Sequence, residues 1–359
     1  MSAPTSANTS SANEPISVLG RELIFHHTVK PLAALHLDPG NPRLRDLAMR
    51  AEAEEKVLTE QEIEDYLWKD GDVKKLYNSI VASGGLTEYL WAFDDGRVPE
   101  GNERLVCLRK ISRDLHSPQR AKIFPGPLLE RMENLIANVP VKIVPSDILN
   151  SELDVLLARL HVTGRDEWPA FNQAAHVYKM NDRDGIPVER IAELLGVSTT
   201  WVYMRLKAYE WTKRYLDEYK SSDLSVYSTF EEAYKVKAKL RKSGLDLESD
   251  QGMAGFQKLV ASKGISWAID VRKLPKMLEL PQTRKLLQSG KVEEAKQLLP
   301  QFDPSEFSSR LASLVRAKEQ LAKLDREDMR MVKENGAYRQ LLVDLATELN
   351  KVVAQAMKG

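Results

Sequence analysis

The sequence predicts an α+β N-terminal domain, then an all-α helix-turn-helix region and a helical C-terminal region, mainly α overall. Three observations carry this. Val/Ile/aromatic runs bounded by Pro and Gly, as in "VPVKIVPSD", are confined to about the first 150 residues. Beyond "SELDVLLARLHV" the apolar residues recur at helical spacing, broken at glycines such as Gly164, Gly185 and Gly196. At 359 residues the chain is also too long for one ordinary core.

Taken in order, residues 1–20 ("MSAPTSANTSSANEP…") read as a disordered tail with neither a basic segment nor an apolar stretch of a secretion signal. Residues 21–150 form the mixed domain. "RELIFHHTVK" supplies a strand, and "LDPGNPRLR" a turn carrying Arg43 and Arg45. "DVKKLYNSIVASGG" puts Val73, Leu76, Ile80 and Val81 on one helical face before Gly84 and Gly85 stop it. "TEYLWAFDDG" is a further strand. The segment 111–139 is left open between a lid and a partner surface. Residues 151–243 form the helix-turn-helix region, 244–302 a helical linker, and 303–359 a dimerisation region with Leu314, Leu321, Leu324, Leu345 and Leu349 at spacings suited to a helical seam.

Composition narrows the function classes. Lys plus Arg equals Asp plus Glu, 52 each, so any polyanion-binding surface has to be local. The single cysteine, Cys107, excludes an intrachain disulfide and a cysteine-rich zinc site, which fits a reducing, cytoplasmic compartment.

The most specific local pattern is "PVERIAELLGVSTTWVYMRLKAY", residues 187–209. Ile191, Leu194 and Leu195 give one apolar face, Ala192 permits close crossing, Gly196 turns the chain, and Val202 and Leu206 bury the next helix. Ser198 suits a helix cap. The outward face then carries Ser198, Thr199, Thr200, Tyr203, Arg205 and Lys207, donors suited to base edges and phosphates of double-stranded DNA. A solvated helical hairpin has the same pattern. Downstream, Lys235, Lys237 and Lys239 lie in an acid-free basic run, a candidate phosphate-contacting face.

A second pattern is "PEGNERLVCLRK". A glycine turn entering a helix offers free amides and a positive dipole end to an anion, and Arg104 adds a charged donor. A polar turn that only caps a helix reads the same way.

In order and spacing, "PLAALHLDPGNPRLR", "LYNSIVASGGLTEYLWAF", "VPEGNERLVCLRKI", "VPVKIVPSD", "RDEWPAFNQAAHVYKM" and the helix-turn-helix resemble the ParB chromosome and plasmid partition family over about residues 30–230. The resemblance implies a ParB/sulfiredoxin-like N-terminal fold and a homodimer on DNA associated with the nucleoid or a plasmid. It also implies a ParA-like ATPase as partner and a CTP pocket, with magnesium, at Gly101, Asn102, Glu103 and Arg104. A second nucleotide motif of the family, Glu-Asn-x-x-Arg, falls on "HVTGR", leaving Arg165 in register with His161 at the glutamate position. Glu103 stands where the family typically has arginine. Binding with slow or absent hydrolysis is therefore expected. Two alternatives differ in class: a nucleotide-dependent kinase or nuclease on the same fold, and a transcriptional regulator or adaptor without nucleotide chemistry.

Overall fold

A computed structural model of the chain describes residues 13–162, 164, 167–265, 267–302 and 317–356. It is mainly helical, with one mixed sheet near the N-terminus. The strands are β1 (Asn13–Val18), β2 (Arg21–Lys30), β3 (His36–Leu37), β4 (Leu90–Ala92), β5 (Arg97–Val98) and β6 (Val139–Ile143). Four of them form a sheet in the order β1-β2-β6-β4, in which only the β4–β6 pair is parallel, and β3 pairs with β5 separately.

β1 corrects the expectation of a disordered tail through residue 20. Its register on β2 runs from Asn13 opposite His26 to Val18 opposite Arg21. The turn is made by Leu19 and Gly20, both at positive φ (48° and 85°), the backbone hand that matches strand twist in a two-residue hairpin. Leucine rarely takes that conformation, so the turn carries no usual sequence signal. β1 lies at the sheet edge, where Pro15 is tolerated.

The sheet buries both faces. Leu90, Ala92, Val139 and Val141 point into a first core with helices α1 (Arg45–Ala53), α2 (Glu60–Trp68), α3 (Gly71–Ser83) and α4 (Asn102–Leu115) around it. α3 ends at Gly84 in the left-handed region (φ 73°), with Val73 and Ile80 buried as the spacing predicts. The segment 111–139 does not line the cavity as a lid would, and part of it packs into this core. It forms α5 (Arg120–Ile123) and α6 (Pro127–Ala137), and its Phe124, Met132 and Leu135 fill that core.

On the opposite face Leu23, Phe25 and Trp91 pack with α7 (Asn150–His161), α8 (Ala170–Asp182) and α9 (Val188–Leu195) in a second core. Ion pairs fix α7. Glu152, 1% exposed, accepts from Arg21 at 2.9 and 3.1 Å and from the Leu149 amide at 2.9 Å, tying the hairpin to the start of the helix. Asp154 takes Lys179 and Arg183 of the α8 end, each at 2.8 Å.

α9 and α10 (Thr199–Glu218) are joined through Gly196, Val197 and Ser198; Gly196 is left-handed (φ 67°) and Ser198 Oγ accepts from the Trp201 amide at 3.1 Å. Ile191, Ala192, Leu194, Leu195, Val202 and Leu206 are all buried, as read from the sequence. α11 (Tyr227–Lys242) packs along α10.

The chain through Pro275 forms one compact unit and Lys276 onward a second. In the second, helices Pro281–Gln288 and Val292–Phe302 pack together, as do Arg326–Glu334 and Gly336–Ala356. Tyr338, Leu341, Val343, Val352 and Val353 of the last helix are exposed, as are Leu321, Leu324 and Leu349. Leu314 lies outside the described residues.

Behind Trp168, His176 is buried and its Nε2–H donates to the Asp154 carbonyl at 2.8 Å. Burial pushes its pKa down to about 4, only partly opposed by that hydrogen bond. An unfolded chain takes up this proton near pH 6.5 and the native one does not. The contribution is therefore complete above pH 6.5 and fades as pH falls towards 4, by roughly 3 kcal/mol. Urea titrations should show His176→Gln losing less stability than the parent chain over that window; equal pH slopes would refute the assignment.

Candidate functional site

The site begins at Gly101, which caps α4 from a positive φ of 103°. A side chain there would meet Leu90 Cγ at 3.1 Å and Leu90 Cα at 3.4 Å, so only glycine lets β4 pass so close. No side chain caps this helix end. Asn102 also lines the cavity, with its side chain tied to the preceding loop: its amide oxygen accepts from the Asp38 backbone N–H at 3.3 Å and its amide nitrogen donates to the Asp38 carbonyl at 3.2 Å. Asn41 donates to the Pro99 carbonyl at 2.7 Å. The "LDPGNPRLR" loop is thereby laid against the turn, and Arg43 reaches Glu103 at 2.7 Å, an ion pair not aimed as a hydrogen bond.

Arg104 is held by Glu100 at 2.6 Å, Glu88 at 3.1 Å and the Tyr89 carbonyl at 3.2 Å. The other oxygen of Glu100 meets His161 Nε2 at 2.6 Å, and the His161 ring stacks on Trp168 at 4.8 Å. Burial alone would raise the Glu100 pKa, but the hydrogen bond and charge of His161, with Arg104, more than offset it and hold the carboxyl below its ordinary value. Glu103 goes the other way. Burial lifts its pKa, Arg43 opposes, and Asp70 and Glu100 add to the rise.

These groups line one end of a cavity of about 1100 Å³. The lining also includes residues of the sheet face that carries the second core. There Lys142 and His27 meet Glu14 at 2.6 and 2.9 Å, and Tyr89 sets its ring against His27 at 5.0 Å. Sequence reading did not single out Glu14, His27, Lys142 or Trp168. His27 had a signal: it follows Leu23 and Phe25 at the alternation that marks the inward face. Gly101, Asn102, Glu103, Arg104 and His161 are brought together, whereas Arg165 lies outside the described residues.

Chemically, the α4 amides with Arg43 and Arg104 suit an anion. The adjoining carboxylates are already engaged by arginine and histidine, and among the described residues no group of three or more His, Cys, Asp or Glu is arranged to hold a metal. Cys107 is fully buried, its Sγ–H donating to the Val73 carbonyl at 3.4 Å; burial, with Glu103, pushes the thiol up to about 12. It has none of the exposure or thiolate character of a nucleophile.

The outer face of the α9–α10 pair is a separate surface. Thr199 and Thr200 are exposed and Tyr203 is 45% exposed, while Ser198 is used as the cap. Arg205 corrects the sequence reading. It is buried, donating to Tyr227 and Gln173 at 3.1 Å each, with Trp201 over its guanidinium at 4.8 Å, so it braces α10 against α8 and α11. The basic run is largely neutralised within the molecule: Lys207 pairs with Glu210 at 2.7 Å, Lys235 with Glu231 at 3.0 Å and Lys237 with Glu248 at 2.9 Å, while Lys239 is exposed.

No helix among the described residues is long and apolar enough to cross a membrane. The chain matches no protein-family model, and no curated protein or solved structure matches it.

Proposed function

We propose that this chain is a ParB-like DNA-binding protein, acting as a homodimer in plasmid or chromosome partition or related DNA regulation, with a nucleotide such as CTP taken into the N-terminal cavity. The observation that carries the DNA reading is the α9–α10 pair: a left-handed glycine turn, a Ser198-capped second helix, and Thr199, Thr200 and Tyr203 exposed on its first turns. That geometry is the one that fits a major groove, with the helix N-terminal residues at base edges.

In this reading Thr200 and Tyr203 discriminate among sequences and Lys239 contacts phosphate. Lys207, Lys235 and Lys237 contact phosphate after leaving their acidic partners, and the counterions released from the DNA by these basic residues make binding weaken steeply with salt. The cavity is large enough for a nucleotide, with its phosphates at Arg43, Arg104 and the α4 amides. The second reading, a regulator or adaptor without nucleotide chemistry, draws on the engagement of Arg104 by Glu88 and Glu100.

Against a duplex selected from a random library, Thr200→Ala or Tyr203→Ala is expected to lose roughly 1–3 kcal/mol of discrimination per base contact, and Lys239→Ala to weaken all duplexes alike. Fluorescence anisotropy on selected and random DNA checks this, and equal losses in both sets would sink the assignment. For the cavity, Arg104→Ala removes a charge-assisted bond worth about 1.5–3 kcal/mol and should weaken CTP at least about tenfold. No calorimetric heat with CTP, ATP or GTP up to millimolar concentration would leave the adaptor reading. A chain ending near Pro300 is expected to sediment as a monomer, because the exposed apolar residues of Gly336–Ala356 are gone; a stable truncated dimer would count against the dimer assignment.

A further inference from the structure

The geometry points to a proton-gated anion site, in which Arg104 is tied to Glu100 until His161 takes up a proton and replaces it as the counter-charge of Glu100. The inference deepens the cavity reading and rests on it only for the identity of the anion.

Glu100 is buried and uses both oxygens, one on Arg104 at 2.6 Å and one on His161 at 2.6 Å. A buried carboxylate needs a compensating charge. While His161 is neutral, Arg104 supplies it, and the three groups together carry no net charge. An anion at the α4 start must then either share Arg104 with Glu100 or strip Glu100 of its counter-ion. Once His161 is protonated it balances Glu100 alone, and the guanidinium is released to the ligand. The imidazole is already in hydrogen-bonding contact with Glu100, so the exchange is one of charge and needs no rearrangement of the pair.

Among the described residues, the remaining groups around the triple do not cancel this effect. From α4, Glu103 is matched by Arg43 of the preceding loop; Asp70, before α3, acts on Glu103. Glu88, before β4, holds Arg104 from its exposed side, and Arg159 of α7 adds a further cation to the cavity wall. Trp168 covers the opposite face of the imidazole. None of these approaches Glu100 as closely as its two partners.

Anion binding therefore takes up a proton, and affinity rises as pH falls, by up to about tenfold per pH unit across the window in which His161 is protonated in the bound but not the free protein. The test is calorimetric titration of the full chain with inorganic tripolyphosphate and with CTP between pH 5.5 and 8.5. The parent is compared with His161→Gln and Glu100→Gln, both near-isosteric and checked for folding by circular dichroism. Ligand ionisation is common to all three. The parent should show a steeper pH dependence than His161→Gln, and Glu100→Gln should bind more tightly than the parent at pH 8, with the extra slope lost. Equal slopes in the parent and His161→Gln, weaker binding by Glu100→Gln, or no tripolyphosphate binding by any of the three overturns the proposal. Gated tripolyphosphate binding with no preference for CTP instead keeps the gate and removes the nucleotide reading.

Discussion

A carboxylate taken out of water must be matched in place, and Glu100 is matched from two directions. Arg104 comes from the first turn of α4, and His161, 61 positions beyond Glu100 in sequence, comes from the last turn of α7. Losing both partners would leave a buried charge without compensation, a far larger penalty than losing a surface pair. The two helix ends are therefore held in one geometry, and the cavity wall is what lies between them. Trp168, stacked on His161, carries that constraint into the chain leading to α8.

The sheet distributes everything else. Because successive residues of a strand face opposite ways, Leu90 and Ala92 serve the first core while Trp91 serves the second. The same alternation places Glu14, His27 and Lys142 on the second face, where they line the cavity. Part of the cavity wall is thus the sheet face that carries the second core. Buried polar anchors hold the covering helices: Glu152 on Arg21, Asp154 on Lys179 and Arg183, and His176 on the Asp154 carbonyl.

The helix pair follows the same economy of buried charge. Arg205 sits among Tyr227, Gln173, Glu231 and Trp201, so a residue that an outward helical face would offer to a partner instead sets the position of α10. A donor turned inward fixes orientation, and the exposed row of Thr199, Thr200 and Tyr203 is what that orientation presents.

The sequence by itself determined the features whose physics is local. A 3.6-residue spacing specifies the apolar faces of α3, α9 and α10, a glycine specifies the turns at Gly84 and Gly196, and Ser198 specifies a cap, because each depends on residues within one or two turns. It also located Gly101, Glu103, Arg104 and His161 as residues of interest. Only the tertiary structure decided what they touch. The hairpin at Leu19–Gly20, the packing of 111–139 into a core, the tie of Asn102 to Asp38, the inward turn of Arg205, and the pairing of Lys235 and Lys237 with acids all depend on partners set by chain topology. Burial and charge pairing are properties of neighbours in space, and pattern along the chain records only neighbours in sequence.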